Sequence, residues 1–272
     1  MPEGPEVRRA ADRINSALAG KILQEVECTV ATVAQIAPSM VGKRFEQVET
    51  RGKAFLLYVE AHDPIYVHLQ LYGRWVISRT TTVPQSNRSL RLRFSSGSKQ
   101  ALLYSATDVG VLKRGHENRH PYISRLGPDI LRPNLYVNHI GARLRSKAFR
   151  RRRLAGLLLN QGFIAGIGNY MRSEILFIAG INPMLRPADL TSEQCSSLAH
   201  AILTVGQRAY QQNGVTTAPE LIARAKLQRQ RKRTYRHYVF ARKGLPCRTC
   251  ASTIEKITLG GRRLYWCPQC QA

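Results

Sequence analysis

The 272-residue sequence contains no apolar run long enough to cross a bilayer. A membrane-spanning helix needs about 20 consecutive apolar residues, so we expect no membrane partner. The chain also begins with charged residues, proline and glycine, and lacks the apolar stretch of a secretory signal. These absences predict a cytoplasmic protein.

Acidic residues are scarce. There are 17 of them against 42 lysines and arginines, which gives a net charge of +25. The excess positive charges repel one another, which predicts a polyanionic partner. Nucleic acid is favoured over a membrane surface, because no strongly amphipathic basic helix is evident. Two basic clusters, "RLRSKAFRRRR" from Arg143 and "RAKLQRQRKRTYR" from Arg224, are candidates for backbone contacts; the alternative is a solvated face or a disordered tail.

Cysteines are few, and four of the six lie close to the end of the sequence. Their spacing is C-x2-C-x16-C-x2-C, formed by Cys247, Cys250, Cys267 and Cys270. This spacing is typical of one structural zinc ion with four sulfur ligands and no open position. The rival is a pair of disulfides, which a reducing cytosol disfavours. Cys28 and Cys195 stand alone, and we expect both to be buried, inert thiols.

The first half of the sequence predicts one helix followed by many short strands. Val7, Ala11, Ile14 and Leu18 recur at helical spacing before a glycine that suits a helix end. Beyond them, stretches rich in β-branched and aromatic residues alternate with turn residues up to about residue 124. In "SLRLRF" the apolar and basic residues alternate strictly. This pattern predicts a β-sandwich or barrel with the first helix against it.

The second half has helical periodicity, so the fold class is α+β with two domains. "SRLGPDILRPNL" breaks the pattern and predicts a hinge. We expect helices at 137–146, on either side of the glycine-punctuated turn in "NQGFIAGIGNY", and from the capping box at Thr191 towards Tyr210. The predicted domains are residues 1–124, a hinge at 125–133, a helical domain at 134–236 and a zinc-finger hairpin at 237–272.

The first residues, "MPEGPEV", suit covalent chemistry. If Met1 is removed, Pro2 presents a secondary amine, and a chain-terminal amine is much less basic than lysine. Attack by such an amine on a carbon at the carbonyl oxidation level gives a cationic iminium that acts as an electron sink. Glu3, next to it, is a candidate acid or base. Many chains begin with Met-Pro for no chemical reason, so this signal is not specific alone.

Several motifs together resemble the formamidopyrimidine-DNA glycosylase and endonuclease VIII family. They are "PEGPEV", "RGKAFLLY", "HLQLYGRW", "QGFIAGIGNYMRSEIL" and the C-terminal cysteine pairs, and they cover nearly the whole chain. "QLYG", "LLYSATD" and "RLGPD" resemble the endonuclease VIII branch. The resemblance implies a monomeric bifunctional DNA glycosylase and lyase that excises oxidised pyrimidines from double-stranded DNA. It also implies a β-sandwich, a helix–two-turn–helix domain and a zinc finger, with DNA between the two domains.

The resemblance also implies catalytic roles. Pro2 would attack C1′ of the damaged nucleotide, and Glu3 would handle the proton for ring opening or base departure. Lys53 would donate a proton in β-elimination and hold a phosphate. Arg262 falls on the finger-loop arginine implicated in δ-elimination, with Arg263 beside it as the alternative.

Five further residues would bind DNA. Gln70, Leu71 and Tyr72 would fill the gap left when the damaged nucleotide rotates out of the duplex. Arg125 would contact DNA at the hinge. Asn169 and the backbone N–H groups next to it, at a helix start, would bind a phosphate.

Three alternatives stay open on the sequence alone. The chain could be a glycosylase for purine lesions from the same family. It could be a DNA-damage-binding protein that lacks catalysis, although binding alone does not require Pro2, Glu3 and Lys53. It could be an RNA-binding zinc-ribbon protein, which would explain the charge and the cysteines but not the first three residues.

Overall fold

The computed structural model describes residues 2–82 and 84–272 and forms two compact units. One comprises residues 1–2 and 7–125, and the other residues 3–6 and 126–272. The short segment Glu3–Glu6 therefore belongs with the second unit, although it lies at the start of the chain. The predicted domain limits remain a prediction.

In the described part of the chain, the first unit contains most of α1 and eight antiparallel strands in two sheets. The helices are α1 (Gly4–Leu18), α2 (Ala31–Ala34) and α3 (Ala37–Met40). The strands are β1 (Glu25–Cys28), β2 (Phe45–Arg51), β3 (Ala54–Val59), β4 (Ile65–His68), β5 (Arg74–Arg79), β6 (Leu90–Ser96), β7 (Lys99–Tyr104) and β8 (Asp108–Val111). The sheet orders are β1-β6-β7-β5 and β2-β3-β4-β8.

The two sheets share one apolar core, which confirms the predicted β-sandwich. Leu92 and Phe94 of β6 are buried in it, as the alternation of "SLRLRF" predicts. Strand β3 is buried along its whole length, because Phe55 and Leu57 enter the main core while Leu56 packs in a second cluster on the opposite face. That double burial explains why its sequence, "AFLLYV", does not alternate.

The second unit is helical and ends in a β-hairpin. Its helices are α4 (Val137–Arg145), α5 (Leu154–Leu157), α6 (Asn169–Ile178), α7 (Ser192–Gln211), α8 (Pro219–Leu227) and α9 (Lys232–Tyr235), and the hairpin strands are β9 (Glu255–Leu259) and β10 (Arg262–Trp266). Thr191 caps α7 by accepting the N–H of Gln194 at 3.2 Å, so the predicted capping box is confirmed. Helices α8 and α9 were not predicted. No helix within the described ranges is long and apolar enough to cross a membrane.

Candidate functional site

The Glu3 side chain is buried and lies at the N-terminus of α6 in the second unit. Its Oε2 accepts the N–H groups of Gly168 at 2.8 Å and Met171 at 3.3 Å, and its Oε1 accepts that of Tyr170 at 2.9 Å. The first N–H groups of an α-helix have no partner within the helix, and the helix dipole favours an anion there. The carboxylate is therefore held by three donors in one orientation.

This arrangement corrects one expectation about Asn169. The N–H groups of its neighbours Gly168 and Tyr170 donate to Glu3, so they are not available to a DNA phosphate. Asn169 itself begins α6 and is half-buried, and its Oδ1 has no hydrogen-bond partner among the described residues. The side chain of Asn169 stays a candidate phosphate contact.

Gly168 makes room for the Glu3 side chain. A Cβ atom added at this glycine would lie 2.3 Å from Cδ and 2.5 Å from Oε1 of Glu3. Real Cβ atoms do not approach other atoms so closely, so any larger residue would move the carboxylate away from the helix.

We therefore expect Gly168→Ala to lower both the free energy of unfolding and the rate of the base excision that the family resemblance implies. Overpacking of a buried site costs about 1–3 kcal/mol. Thermal unfolding and single-turnover excision measure the two effects. Gly156→Ala is the matched control, because a Cβ there meets nothing within 4 Å. Equal unfolding temperatures and rates for the two variants would contradict this account.

A second carboxylate, Glu6, lies beside Glu3. Its Oε2 accepts the backbone N–H of Glu3 at 3.2 Å and the hydroxyl of Tyr170 at 3.0 Å. Arg236 places its Nη2 3.8 Å from Glu6 and its guanidinium 5.6 Å above the ring of Tyr170. Burial, and then the negative charge of Glu6, raises the pKa of Tyr170 well above its usual value, so the hydroxyl remains a donor.

Sequence reasoning missed Glu6, Tyr170 and Arg236. The spacing of Glu6, three residues after Glu3 at a helix start, is the one local signal that could have indicated it. Tyr170 and Arg236 reach the site only through the fold.

Arg172 connects the α6 side of this site to the zinc-finger hairpin. It is buried and donates from Nη1 to the carbonyl of Ala155 and from Nη2 to that of Arg263, both at 2.8 Å. Burial, and then the charge of Arg262, lowers the pKa of Arg172 to about 10, while Glu3 opposes the shift. The charges of Arg262 and Glu3 thus both act on the pKa of Arg172.

The two candidate finger arginines lie on opposite faces of β10, because side chains alternate along a strand. Both are exposed. Arg262 shares its face with Leu264, which packs in the core of the helical unit, and Arg263 shares its face with Tyr265. Of the two, Arg262 is the one whose charge lowers the pKa of Arg172 on α6.

Lys53 lies in the first unit, in the two-residue turn between β2 and β3. It is buried, with 5% of its surface exposed, and its backbone N–H donates to the hydroxyl of Tyr122 at 3.0 Å. The ring of Tyr122 meets that of His68 edge-on at 5.1 Å. Burial lowers the pKa of His68; Asp108 opposes this shift, and the charge of Lys53 adds to it. Sequence reasoning missed His68 and Tyr122 as neighbours of Lys53.

The loop between β4 and β5 presents three adjacent exposed side chains. Leu71 and Tyr72 are 65% and 68% exposed, which is unusual for large apolar residues. Gln70 donates from Nε2 to Asp108 at 3.2 Å. The loop is tight, since a Cβ on Gly73 would lie 2.6 Å from the carbonyl oxygen of Leu69. Arg125, also exposed, ends a short 3-10 helix in the same unit.

The four C-terminal cysteines converge, with all Sγ atoms within 4.8 Å of one another. The Sγ atoms of Cys247 and Cys270 are 3.9 Å apart, and those of Cys250 and Cys267 are 3.4 Å apart. A disulfide requires about 2.05 Å, whereas tetrahedral zinc with bonds of about 2.3 Å separates its sulfurs by about 3.8 Å. The donor set fits one structural zinc, which when bound closes the coordination shell and holds the hairpin.

The two isolated cysteines differ from each other. Cys195 is buried, as predicted, but Cys28 at the end of β1 is only half-buried, so that prediction is wrong for Cys28.

Three family models match the chain. They are the formamidopyrimidine-DNA glycosylase N-terminal domain over residues 1–107, its H2TH domain over residues 126–220, and the zinc finger found in FPG and IleRS over residues 244–272. Endonuclease 8 of Shigella sonnei (strain Ss046) and of Escherichia coli O9:H4 (strain HS) are each 41% identical over 271 residues, with full coverage of both chains.

Solved structures agree in fold. Lactococcus lactis Fpg (MutM) in complex with DNA containing an oxidised pyrimidine gives a TM-score of 0.81 at 21% identity, over 99% of each chain. MutM in complex with DNA containing carbocyclic 8-oxo-G gives 0.80 at 19% identity, over 100% of each chain. At this identity the likeness concerns the fold, which has the sandwich, helical unit and zinc finger described above.

Proposed function

Because the chain belongs to the formamidopyrimidine-DNA glycosylase and endonuclease VIII family, we propose that it excises oxidised pyrimidines through a Schiff base on Pro2 and then cleaves the strand by β,δ-elimination. It is a DNA glycosylase with AP lyase activity. The observation that carries the proposal is the buried carboxylate of Glu3, the residue directly after Pro2. Three backbone N–H groups donate to this carboxylate and fix its orientation.

The first chemical step belongs to Pro2 and Glu3. With Met1 removed, the secondary amine of Pro2 attacks C1′, the bond from C1′ to the base breaks and the amine loses its proton. The C1′–O4′ bond then breaks as O4′ takes up a proton, and the iminium forms between C1′ and the nitrogen of Pro2. Glu3 handles the proton that ring opening or base departure requires. A carboxylate that is already oriented by three hydrogen bonds loses little freedom in this step, which supports its role in proton transfer.

The later steps belong to Lys53 and Arg262. The iminium takes up the electron pair of the C2′–H bond when C2′ loses a proton, and the resulting enamine expels the 3′ phosphate, which leaves with the electron pair of the C3′–O bond. Elimination at the 5′ C–O bond follows, and phosphates remain on both sides of the gap. Lys53 is the proposed proton donor in the first elimination, and its burial supports a dedicated role, since lysines are rarely buried. Arg262, whose charge lowers the pKa of Arg172, is proposed for the second.

The proposed DNA contacts are of two kinds, to phosphates and to the interior of the duplex. Arg125 and the side chain of Asn169 bind phosphates. Gln70, Leu71 and Tyr72 enter the duplex where the damaged nucleotide has left, because chemistry at C1′ is blocked while that nucleotide is stacked. The substrate is double-stranded DNA with an oxidised base, and the enzyme acts as a monomer in the cytoplasm, associated with the nucleoid.

Borohydride trapping tests the proposal. Incubation with a duplex containing thymine glycol should give a covalent complex whose protein part has the mass of the chain without Met1. Failure to trap protein of that mass would contradict the Schiff base. Parallel rates on an 8-oxoguanine duplex test the lesion class, and faster excision of 8-oxoguanine would place the enzyme with the purine-lesion glycosylases.

Leu71→Ala should slow excision from duplex DNA by about 10- to 100-fold, because burial of a leucine side chain contributes about 1.5–3 kcal/mol. Excision from single-stranded DNA should not change, since no gap needs filling. The side chain is exposed, so the unfolding temperature should also hold. Val41→Ala, an exposed apolar residue of the same unit, is the control. Equal slowing on both substrates would argue against insertion into the duplex.

A further inference from the structure

Helices α8 and α9 and the turn between them carry a cluster of unpaired cations, which we call the basic platform. Its members are Arg224, Lys226, Arg229, Arg231 and Arg233. All five are exposed, and none forms an ion pair with any residue in 2–82 or 84–272. None of them has a role in the proposed catalytic steps.

The platform is an ordered element. Ala225 of α8 and Tyr235 of α9 pack against Val215 in a small apolar cluster. Thr217 donates from Oγ1 to the carbonyl of Tyr235 at 2.8 Å, and Lys232 donates from Nζ to the carbonyl of Asn213 at 2.6 Å. A disordered tail is therefore the wrong interpretation of this cluster. The cations are carried on a fixed backbone.

Arg236 joins the platform to the candidate active site within the second unit. It follows α9 directly, and its guanidinium contacts Glu6 and Tyr170, as described above. Its carbonyl accepts the N–H of Thr216 at 2.9 Å, and its Nε donates to the carbonyl of Gly214 at 2.9 Å. The platform thus begins next to Glu6, whose carboxylate lies beside Glu3.

The charge of the platform points to its partner. Glu220 is the only acidic residue from Pro219 to Arg236. Unpaired cations held together repel one another, and a polyanion removes that repulsion. Duplex DNA carries about one negative charge per 1.7 Å of its axis, and each phosphate that is neutralised releases counterions.

We propose that the basic platform binds backbone phosphates of duplex DNA beyond the damaged nucleotide and so adds affinity without taking part in the chemistry. This inference rests on the proposed function for its substrate. It extends that function by assigning a separate DNA-binding surface to an element that carries no catalytic residue.

The test is the triple variant Lys226→Gln/Arg231→Gln/Arg233→Gln, assayed as the full-length zinc-containing protein. Each lost phosphate contact lowers the slope of log Kd against log[salt] by about 0.9. Three contacts predict that, between 50 and 200 mM KCl, the wild type loses about 40-fold more affinity for an undamaged duplex than the variant does. On a damaged duplex, KM should rise while kcat stays within about twofold, because uniform binding is removed.

The matched control is Lys43→Gln/Arg79→Gln/Lys99→Gln. It removes three exposed cations of the first unit that form no ion pair with any described residue and leaves the platform intact. An unchanged salt slope in the platform variant, or an equal change in the control, would overturn the inference, because the effect would then be absent or due to net charge alone. Binding to undamaged DNA needs no catalysis. The salt slopes therefore test DNA binding by the platform independently of borohydride trapping, which tests the Schiff base on Pro2.

Discussion

Retention of Met1 is expected to abolish both borohydride trapping and strand cleavage. The nitrogen of Pro2 is then a tertiary amide with no lone pair available for attack on C1′, whereas the processed chain offers a secondary amine. Protein prepared with methionine removal inhibited, and checked by mass, should therefore show no covalent complex. Under the same conditions, processed protein should trap efficiently.

A DNA-binding measurement distinguishes a loss of the attacking amine from a loss of DNA binding. Both forms should bind a duplex that contains a tetrahydrofuran abasic analogue, since that analogue cannot form an imine. If the Met1 form binds it normally yet does not cleave, the amine is the missing group. Trapping of the Met1 form at the rate of the processed form would show that another amine attacks, and buried Lys53 would become the candidate nucleophile.

Glu3→Gln should reduce base excision by about 10²–10⁴-fold, the usual contribution of a positioned acid or base. It should also destabilise the fold. The three N–H groups at the start of α6 now meet two carboxylate oxygens, whereas glutamine offers one oxygen and turns an NH2 group towards the remaining donors. A buried donor without a partner costs about 1–3 kcal/mol, which thermal unfolding would register.

A preformed abasic site isolates the catalytic part of this effect. That substrate has no base to expel, so the loss of activity of Glu3→Gln should be much smaller on it than on the thymine glycol duplex. A misplaced active site would instead slow both reactions alike. Equal losses on the two substrates would therefore exclude a role of Glu3 in base departure and leave ring opening or the fold as its role.

Much of the fold could be predicted from the sequence because its signals are local. The cysteine pairs predict a four-sulfur site by spacing alone, and the four Sγ atoms do converge. Strict alternation in "SLRLRF" predicts a half-buried strand, and the capping box at Thr191 predicts the start of α7. Each pattern depends on residues a few positions apart, whose relation the backbone geometry sets.

The candidate site depended on the tertiary structure instead. From the sequence alone, Glu3 is an acidic residue beside a proline, and Gly168 is one glycine of a turn. Only the fold brings the carboxylate of Glu3 to the N–H of Gly168, 165 residues away, and leaves no space there for a Cβ. That contact also removes the phosphate donors that the sequence predicted beside Asn169.

The sequence by itself therefore determined the family, the sandwich, the zinc site and the identity of the candidate nucleophile. Tertiary structure alone decided which groups orient Glu3, that the charge of Arg262 acts on Arg172, and that the cations after α7 form an ordered platform. The physical reason is that unpaired N–H groups at a helix start are satisfied by whichever acceptor the packed chain delivers, and no local pattern identifies that acceptor.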